Sequence, residues 1–176
     1  MNADSPRGED AVLVAVQSVL VGRPGVLTGA RTLSHFGEHS AGWVGVSLLG
    51  ALLQPSRRRA WLTAGVGAFL AHAAAVVIKR VVKRTRPDHP AISVNVGTPS
   101  QLSFPSAHAT STTAAAILLG RATGLPLPAI LVPPMALSRL VLGVHYPSDV
   151  LTGVVVGAVV AESVGAISQR GAKADA

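Results

Sequence analysis

Apolar residues in this chain come in long blocks, and the polar residues gather at the block ends. Residues 10–22 (DAVLVAVQSVLVG) form a first apolar stretch, too short to cross a bilayer and suited to an interfacial or packed helix. Arg23-Pro24-Gly25 breaks it. A second candidate runs over residues 33–53, polar at its start (SHFGEH) and apolar from Ala41, closed by Pro55 and the triplet Arg57-Arg58-Arg59. Residues 60–78 make the clearest span, with His72 as their one ionisable group. Nineteen residues of helix rise roughly 28 Å, close to the hydrocarbon thickness of a membrane. Further apolar segments cover residues 107–120, 127–144 and 150–167, the second carrying Pro133-Pro134, where a kink is expected. In the last, Gly153, Gly157 and Ala161 recur every four residues, a small-residue face on which a second copy of the chain could pack.

This pattern predicts an all-α fold, a polytopic membrane bundle of four or five spans plus a short N-terminal interfacial helix, since open sheet edges are not tolerated in lipid. Residues 1–23 read as a polar segment with that helix, 24–170 as the membrane domain and 171–176 as a polar tail. The long polar connection, residues 88–104, is unusual in a compact domain, where such loops tend to be functional or disordered.

Composition sharpens the picture. A chain of 176 residues with 49% hydrophobic and only 13% charged residues, at a mean hydropathy of +0.48, is one domain's worth of membrane protein. The opening MNADSPRGED lacks the basic and apolar regions of a signal peptide, so targeting is expected from the spans themselves. With no cysteine, disulfides and thiolate metal sites are excluded. Fifteen Lys and Arg against eight Asp and Glu give +7, yet the aromatic content is 3% and the basic residues sit at the ends of apolar runs. That distribution argues against nucleic acid. It favours membrane lipids with anionic headgroups and a phosphate-bearing substrate.

Three polar clusters carry candidate chemistry. In Lys79-Arg80-Val81-Val82-Lys83-Arg84-Thr85-Arg86-Pro87, helical spacing would put Lys79, Lys83 and Arg86 on one face, with Pro87 ending the helix. An interfacial basic collar would look the same. Phe104-Pro105-Ser106-Ala107-His108 has the proline and serine of a helix start, whose free N–H groups form an anion site. Ser138-Arg139, five residues, His145, three residues and Asp149 place an arginine at the end of an apolar run and an imidazole before Pro147. Asp149, in the first turn of the next helix, is near enough to fix the tautomer of His145 and leave its other nitrogen free to attack. If the spans alternate, all three clusters meet at one membrane face.

Lys-x6-Arg-Pro, Pro-Ser-x-His and Ser-Arg-x5-His-x3-Asp, in that order from Lys79 to Asp149, resemble the type 2 phosphatidic acid phosphatase superfamily. The stretches SHFGEHS, NVGTPSQLSFPSAHATSTTAAA and LVPPMALSR are further similar to the actinobacterial decaprenylphosphoryl-5-phosphoribose phosphatases, which make a precursor of the cell-wall arabinose donor. The resemblance implies a lipid phosphomonoesterase, with Lys79, Arg86, Ser106 and Arg139 binding phosphate. It also implies His108 as general acid, His145 as nucleophile and Asp149 as its partner, a scheme that calls for no cofactor. The substrate would be a phosphorylated polyprenyl lipid. One departure is Ala107, where the superfamily usually has glycine; the backbone N–H survives, but a positive φ there would be uncomfortable.

Two rival readings compete. His35-Phe36-Gly37-Glu38-His39 fits H-x-x-E-H, whose two histidines could share zinc on one helix, although a third ligand is hard to find; lining the mouth of the site is the simpler role. A phosphate or lipid carrier would need the arginines but not the His145–Asp149 pair. Asp88 and His89 read as loop residues, and His72 as a packed, hydrogen-bonded histidine. For orientation, Arg57, Arg58, Arg59, Arg121, Arg170 and Lys173 oppose Arg80, Lys83 and Arg84, six cations to three. Arg23 and Arg31 narrow this to six against five if residues 33–53 span. The bias points to a cell-membrane protein with its active site outside the cytoplasm.

Overall fold

The computed structural model describes residues 5–174, and among them all regular structure is helical. Seven α-helices follow in order: α1 (Glu9–Leu20), α2 (Val26–Gly37), α3 (Ala41–Leu53), α4 (Arg58–Val82), α5 (Ala107–Thr123), α6 (Leu127–Val141) and α7 (Pro147–Ala174). The connection from Lys83 to Ser106 is irregular, pinned by one antiparallel bridge between Thr85 and Leu102.

Helix α5 is the centre, packed against α4, α6 and α7. Its buried residues are almost all small, Ala109 to Ala116 among them, which lets its neighbours approach closely. Helix α4 answers with Ala64, Ala68, Ala71 and Ala75, all fully buried. On α7, a Cβ at Gly157 would stand 2.3 Å from the Thr110 carbonyl oxygen, and one at Gly153 would stand 2.7 Å from that of Ser106. The small-residue face therefore packs on α5 of the same chain. This corrects the expectation that Gly153 and Gly157 serve a homo-oligomer. Trp43 ties α3 to the same centre, its indole N–H donating to Thr112 Oγ1 at 3.0 Å.

Large apolar side chains point the other way. Val66, Phe69 and Val77 of α4, Leu48, Leu52 and Leu53 of α3, and Leu151, Val155 and Ile167 of α7 are all exposed. Such a surface is costly in water and natural in lipid. Two helical stretches, Pro55–Val82 and Pro147–Ala172, are long and apolar enough to cross a membrane, with mean hydropathies of 1.8 and 2.0; Leu127–Val141 is a shorter apolar helix.

Two sequence expectations are corrected here. Residues 33–53 are not one helix: α2 stops at Gly37 and α3 starts at Ala41, because His39 (φ 50°) and Ser40 (φ 59°) are left-handed. The basic helix ends at Val82, not at Pro87, because Lys83 (φ 55°, ψ 28°) closes α4 with its N–H on the Lys79 carbonyl. Lys79, Lys83 and Arg86 consequently share no helical face. At the end of the bundle away from these breaks, Arg57 donates to the Ala122 carbonyl at 2.9 Å and Arg121 pairs with Glu162.

Gly157→Val should be destabilising by about 1–3 kcal/mol, the usual range for overpacking. Gly45→Ala, with nothing within 4 Å of its new Cβ, should be neutral. Thermal unfolding of the two purified variants in detergent checks both outcomes.

Candidate active site

The end of α4, the start of α5, the end of α6 and the irregular connection enclose a pocket of about 390 Å³. Lys79, Arg86, Ala107, His108, Arg139 and His145 all line it, so the three sequence clusters do meet. Ser106 is not in the lining; it is fully buried behind Ala107 as the N-cap of α5, its Oγ accepting from the Ala109 N–H at 3.4 Å. Ala107 is the first helical residue and has no positive φ, so the missing glycine costs nothing in backbone conformation.

The cations are held by carbonyl and hydroxyl oxygens rather than by carboxylates. Lys79 Nζ donates to the carbonyls of Ser103 (2.7 Å) and Leu102 (3.1 Å). Arg86 donates from Nε to the Ser100 carbonyl at 2.8 Å and from Nη1 to that of Val144 at 2.6 Å. Burial lowers its guanidinium to about 10, against the pull of Asp149, so it stays charged at neutral pH. Arg139, 1% exposed, donates from Nη1 to Ser34 Oγ at 3.0 Å, while its Nε has no hydrogen-bond partner.

His145 lies in the short turn before α7. Burial pushes its imidazole well below 6.5, and Arg86, Lys79 and Arg139 push it further, so the ring is neutral at neutral pH. Its Nε2 is 3.4 Å from Arg86 Nη1, and its Nδ1 is 3.6 Å from Asp149 Oδ2, just beyond hydrogen-bond length. His108 Nε2 is 2.9 Å from the Ser34 carbonyl oxygen, which can only accept, so Nε2 carries the hydrogen. A neutral imidazole backed by a buried carboxylate, a second imidazole and a helix N-terminus, beside three cations, can attack and stabilise a tetrahedral phosphate.

His35, Glu38 and His39 line the mouth of this pocket. They do not form the zinc motif: α2 ends at Gly37, so His35 and His39 are not on one helix, and no group of three metal-ligating side chains occurs among the described residues. His72 also lines the pocket, with its ring 5.7 Å from that of His39, and its buried Nδ1 has no hydrogen-bond partner, contrary to the packed, bonded histidine expected. Asp88 and His89 stay outside the pocket lining; His89 Nδ1 accepts from the Ala91 N–H. Sequence reasoning missed Ser34, whose hydroxyl and carbonyl serve Arg139 and His108, and Gly37, where a Cβ would meet the His108 ring at 2.8 Å. Nothing local to a serine or glycine on an apolar helix signals such long-range contacts.

This fold and this site define a class, and the chain belongs to the PAP2 superfamily, whose family model matches residues 60–170. Its curated relatives include the decaprenylphosphoryl-5-phosphoribose phosphatase of Mycolicibacterium smegmatis, 78% identical over 151 residues (86% of this chain, 84% of the relative). Another, the decaprenylphosphoryl-5-phosphoribose phosphatase of Mycobacterium tuberculosis H37Rv, is 70% identical over 172 residues (96% of this chain, 97% of the relative). Two crystal structures share the fold at low identity. The transmembrane PAP2-type phosphatidylglycerolphosphate phosphatase of Bacillus subtilis has a TM-score of 0.69 at 18% identity, covering 91% of this chain and 86% of its own. LpxE of Aquifex aeolicus has 0.65 at 19%, covering 97% and 99%.

Orthovanadate, a tetrahedral oxyanion, should raise the melting temperature, by the equivalent of about 2.7 kcal/mol at a hundredfold excess over Kd. Arg86→Gln should abolish most of that shift in the same thermal assay.

Proposed function

We propose that the protein is a multi-pass membrane phosphatase that hydrolyses the phosphomonoester of decaprenylphosphoryl-5-phosphoribose to give decaprenylphosphoryl ribose and phosphate. The observation that carries the chemistry is the buried, neutral His145 backed by Asp149 beside Lys79, Arg86 and Arg139. The substrate rests on relatives of that name matching nearly the whole chain at 70–78% identity. In this reading the lipid tail stays against the exposed apolar flanks of the bundle, and the phosphorylated sugar enters the pocket between the 88–104 loop and the His39–His72 wall.

Nε2 of His145 attacks phosphorus as the bond to the ribose oxygen breaks, and His108, entering the step protonated on both nitrogens, gives that oxygen the proton of Nδ1 while its Nε2–H stays on the Ser34 carbonyl. Asp149 stabilises the positive charge that develops on the His145 ring. Lys79, Arg86 and Arg139, with the N–H groups at the start of α5 around Ser106 and Ala107, hold the equatorial oxygens. Water then loses a proton to His108 and attacks phosphorus, the N–P bond breaks, and phosphate leaves.

His145→Ala should abolish turnover. His108→Ala should cost roughly 10²–10⁴ in rate, a usual share for general acid catalysis. Rapid quenching of the wild type should trap a phosphoenzyme that is stable in base and labile in acid, and absent from His145→Ala. Phosphate release from a panel containing a polyprenyl phosphoribose and phosphatidic acid should favour the former; equal rates would reduce the substrate to lipid phosphates in general.

For orientation, helix α1 and its flanks sit at the pocket end, where Val21 and Val26 pack near Val141 and Val144, and Arg31 donates to the Asn95 carbonyl at 2.9 Å. Leaving out the pocket-lining Lys79, Arg80, Arg86 and Arg139 and the Asp149-bound Arg84, that end carries Arg7, Arg23, Arg31 and Lys83, against Arg57, Arg58, Arg59, Arg121, Arg170 and Lys173 at the other, four to six. The bias favours a pocket outside the cytoplasm. Gly97→Cys, at an open position in a cysteine-free chain, should then react with a membrane-impermeant thiol reagent in intact cells. Labelling only after permeabilisation would place the pocket inside.

A further inference from the structure

Behind the His145–Asp149 pair lies a charged network that the phosphate chemistry does not use. Asp149 is fully buried in the first turn of α7 and spends both carboxylate oxygens on neighbours. Oδ2 accepts from the Tyr146 N–H at 2.8 Å, and Oδ1 accepts from Arg84 Nη1 at 2.9 Å. Nη1 of Arg84 also reaches Ser148 Oγ at 2.6 Å, and Nη2 donates to Glu9 Oε2 at 2.6 Å. The same guanidinium lies over the Tyr146 ring, 4.1 Å from its centroid. Glu9, the first residue of α1, accepts the Ser148 N–H at 2.8 Å on its other oxygen and so caps α7 from outside.

We infer that Arg84 and Glu9 are positioning residues for the His145–Asp149 pair, with Arg84 holding Asp149 ionised and aimed at His145, and Glu9 of the N-terminal helix holding Arg84. The geometry favours this over a surface ion pair in three ways. Arg84 touches a carboxylate with no exposure of its own, and a buried carboxylate without a cation partner tends to take up a proton. The guanidinium is fixed at four points, by Asp149, Ser148, Glu9 and the Tyr146 face, which leaves little freedom for a side chain 30% exposed. Finally, the 3.6 Å separation of His145 Nδ1 from Asp149 Oδ2 makes the pair sensitive to displacements of a few tenths of an ångström, which the Arg84 contact controls. Glu9 lies outside the family-matched residues 60–170 and reaches the site from the N-terminal helix α1.

The inference rests on His145 and Asp149 acting as proposed above. The charged and titratable groups around Asp149 are Arg84, Lys79, Arg86, His145, Tyr146 and, through Arg84, Glu9. The test uses the full-length protein in detergent and a polyprenyl phosphoribose. Arg84→Gln should lower kcat by roughly tenfold or more, as loss of an outer-layer partner commonly does, with KM within about twofold of wild type. It should also move the acid limb of the kcat profile up by roughly one pH unit, because Asp149 then protonates at higher pH. Arg84→Lys, which keeps the charge, should restore the acid limb. Glu9→Gln should cost at most about fivefold, the scale of a partly exposed ion pair, and should add nothing to either Arg84 variant. An unmoved acid limb with normal kcat in Arg84→Gln overturns the inference, as does a loss confined to KM, which would put Arg84 on the substrate. If Arg84→Gln does not fold, Arg84→Lys with and without Glu9→Gln decides: fully additive losses overturn it, and no added loss supports it. Turnover surviving in His145→Ala sinks the phosphohistidine reading, whereas an inactive His145→Ala beside an unaffected Arg84→Gln sinks this inference alone.

Discussion

Lys79, Arg86 and Arg139 brought into one pocket, with a single fully buried carboxylate among the described residues, set the terms for everything around them. Removing Lys79 and Arg139 from water is expensive unless their donors find oxygens. Most of those oxygens are backbone carbonyls: Leu102 and Ser103 for Lys79, Ser100 and Val144 for Arg86. Carbonyls satisfy the donors without cancelling the charge, so the pocket keeps its attraction for phosphate. The irregular Lys83–Ser106 connection supplies three of these four carbonyls and the turn between α6 and α7 supplies that of Val144, since a continuous helix would have spent them on its own hydrogen bonds.

The same positive field acts on the imidazoles. His145 is buried among Arg86, Lys79 and Arg139, and all of these disfavour a second positive charge, so the ring presents a lone pair at neutral pH. Asp149 does not reverse this, because its charge is shared with Arg84 on the side away from the ring. Reactivity at His145 and anion affinity at the arginines are thus two consequences of one charge distribution.

Bringing the helix ends this close together depends on small residues. Alanines on α4, alanines, serine and threonines on α5 and glycines on α7 allow near-backbone contact, while the valines, leucines and phenylalanine of α3, α4 and α7 face outward. In a soluble protein the large residues would be inside; here the surrounding hydrocarbon takes them, and packing among small residues holds the bundle. Helix α1 joins this assembly through Gln17, which bonds both the Ser93 backbone and the Val141 carbonyl, and through Glu9. It is part of the site's framework.

The all-helical class, the positions of the apolar segments and the membership of Lys79, Arg86, Ala107, His108, Arg139 and His145 in one pocket were legible in the sequence. Helical hydrophobicity is written in runs of adjacent residues, and Ser106 and Pro147 mark helix starts by local hydrogen-bonding rules. What the sequence left undecided depends on contacts between distant segments. The left-handed turns at Lys83 and at His39-Ser40 occur at residues with no intrinsic preference strong enough to announce them. The Gly153–Gly157 face could serve another copy or another helix of the same chain, and only the placement of α5 decides between them. Arg84 looked like one more basic residue in a collar, until the fold carried Glu9 from 75 positions away and Asp149 from 65 to meet its guanidinium. Charge pairs of that kind are fixed by tertiary geometry, because no local pattern constrains side chains so far apart along the chain.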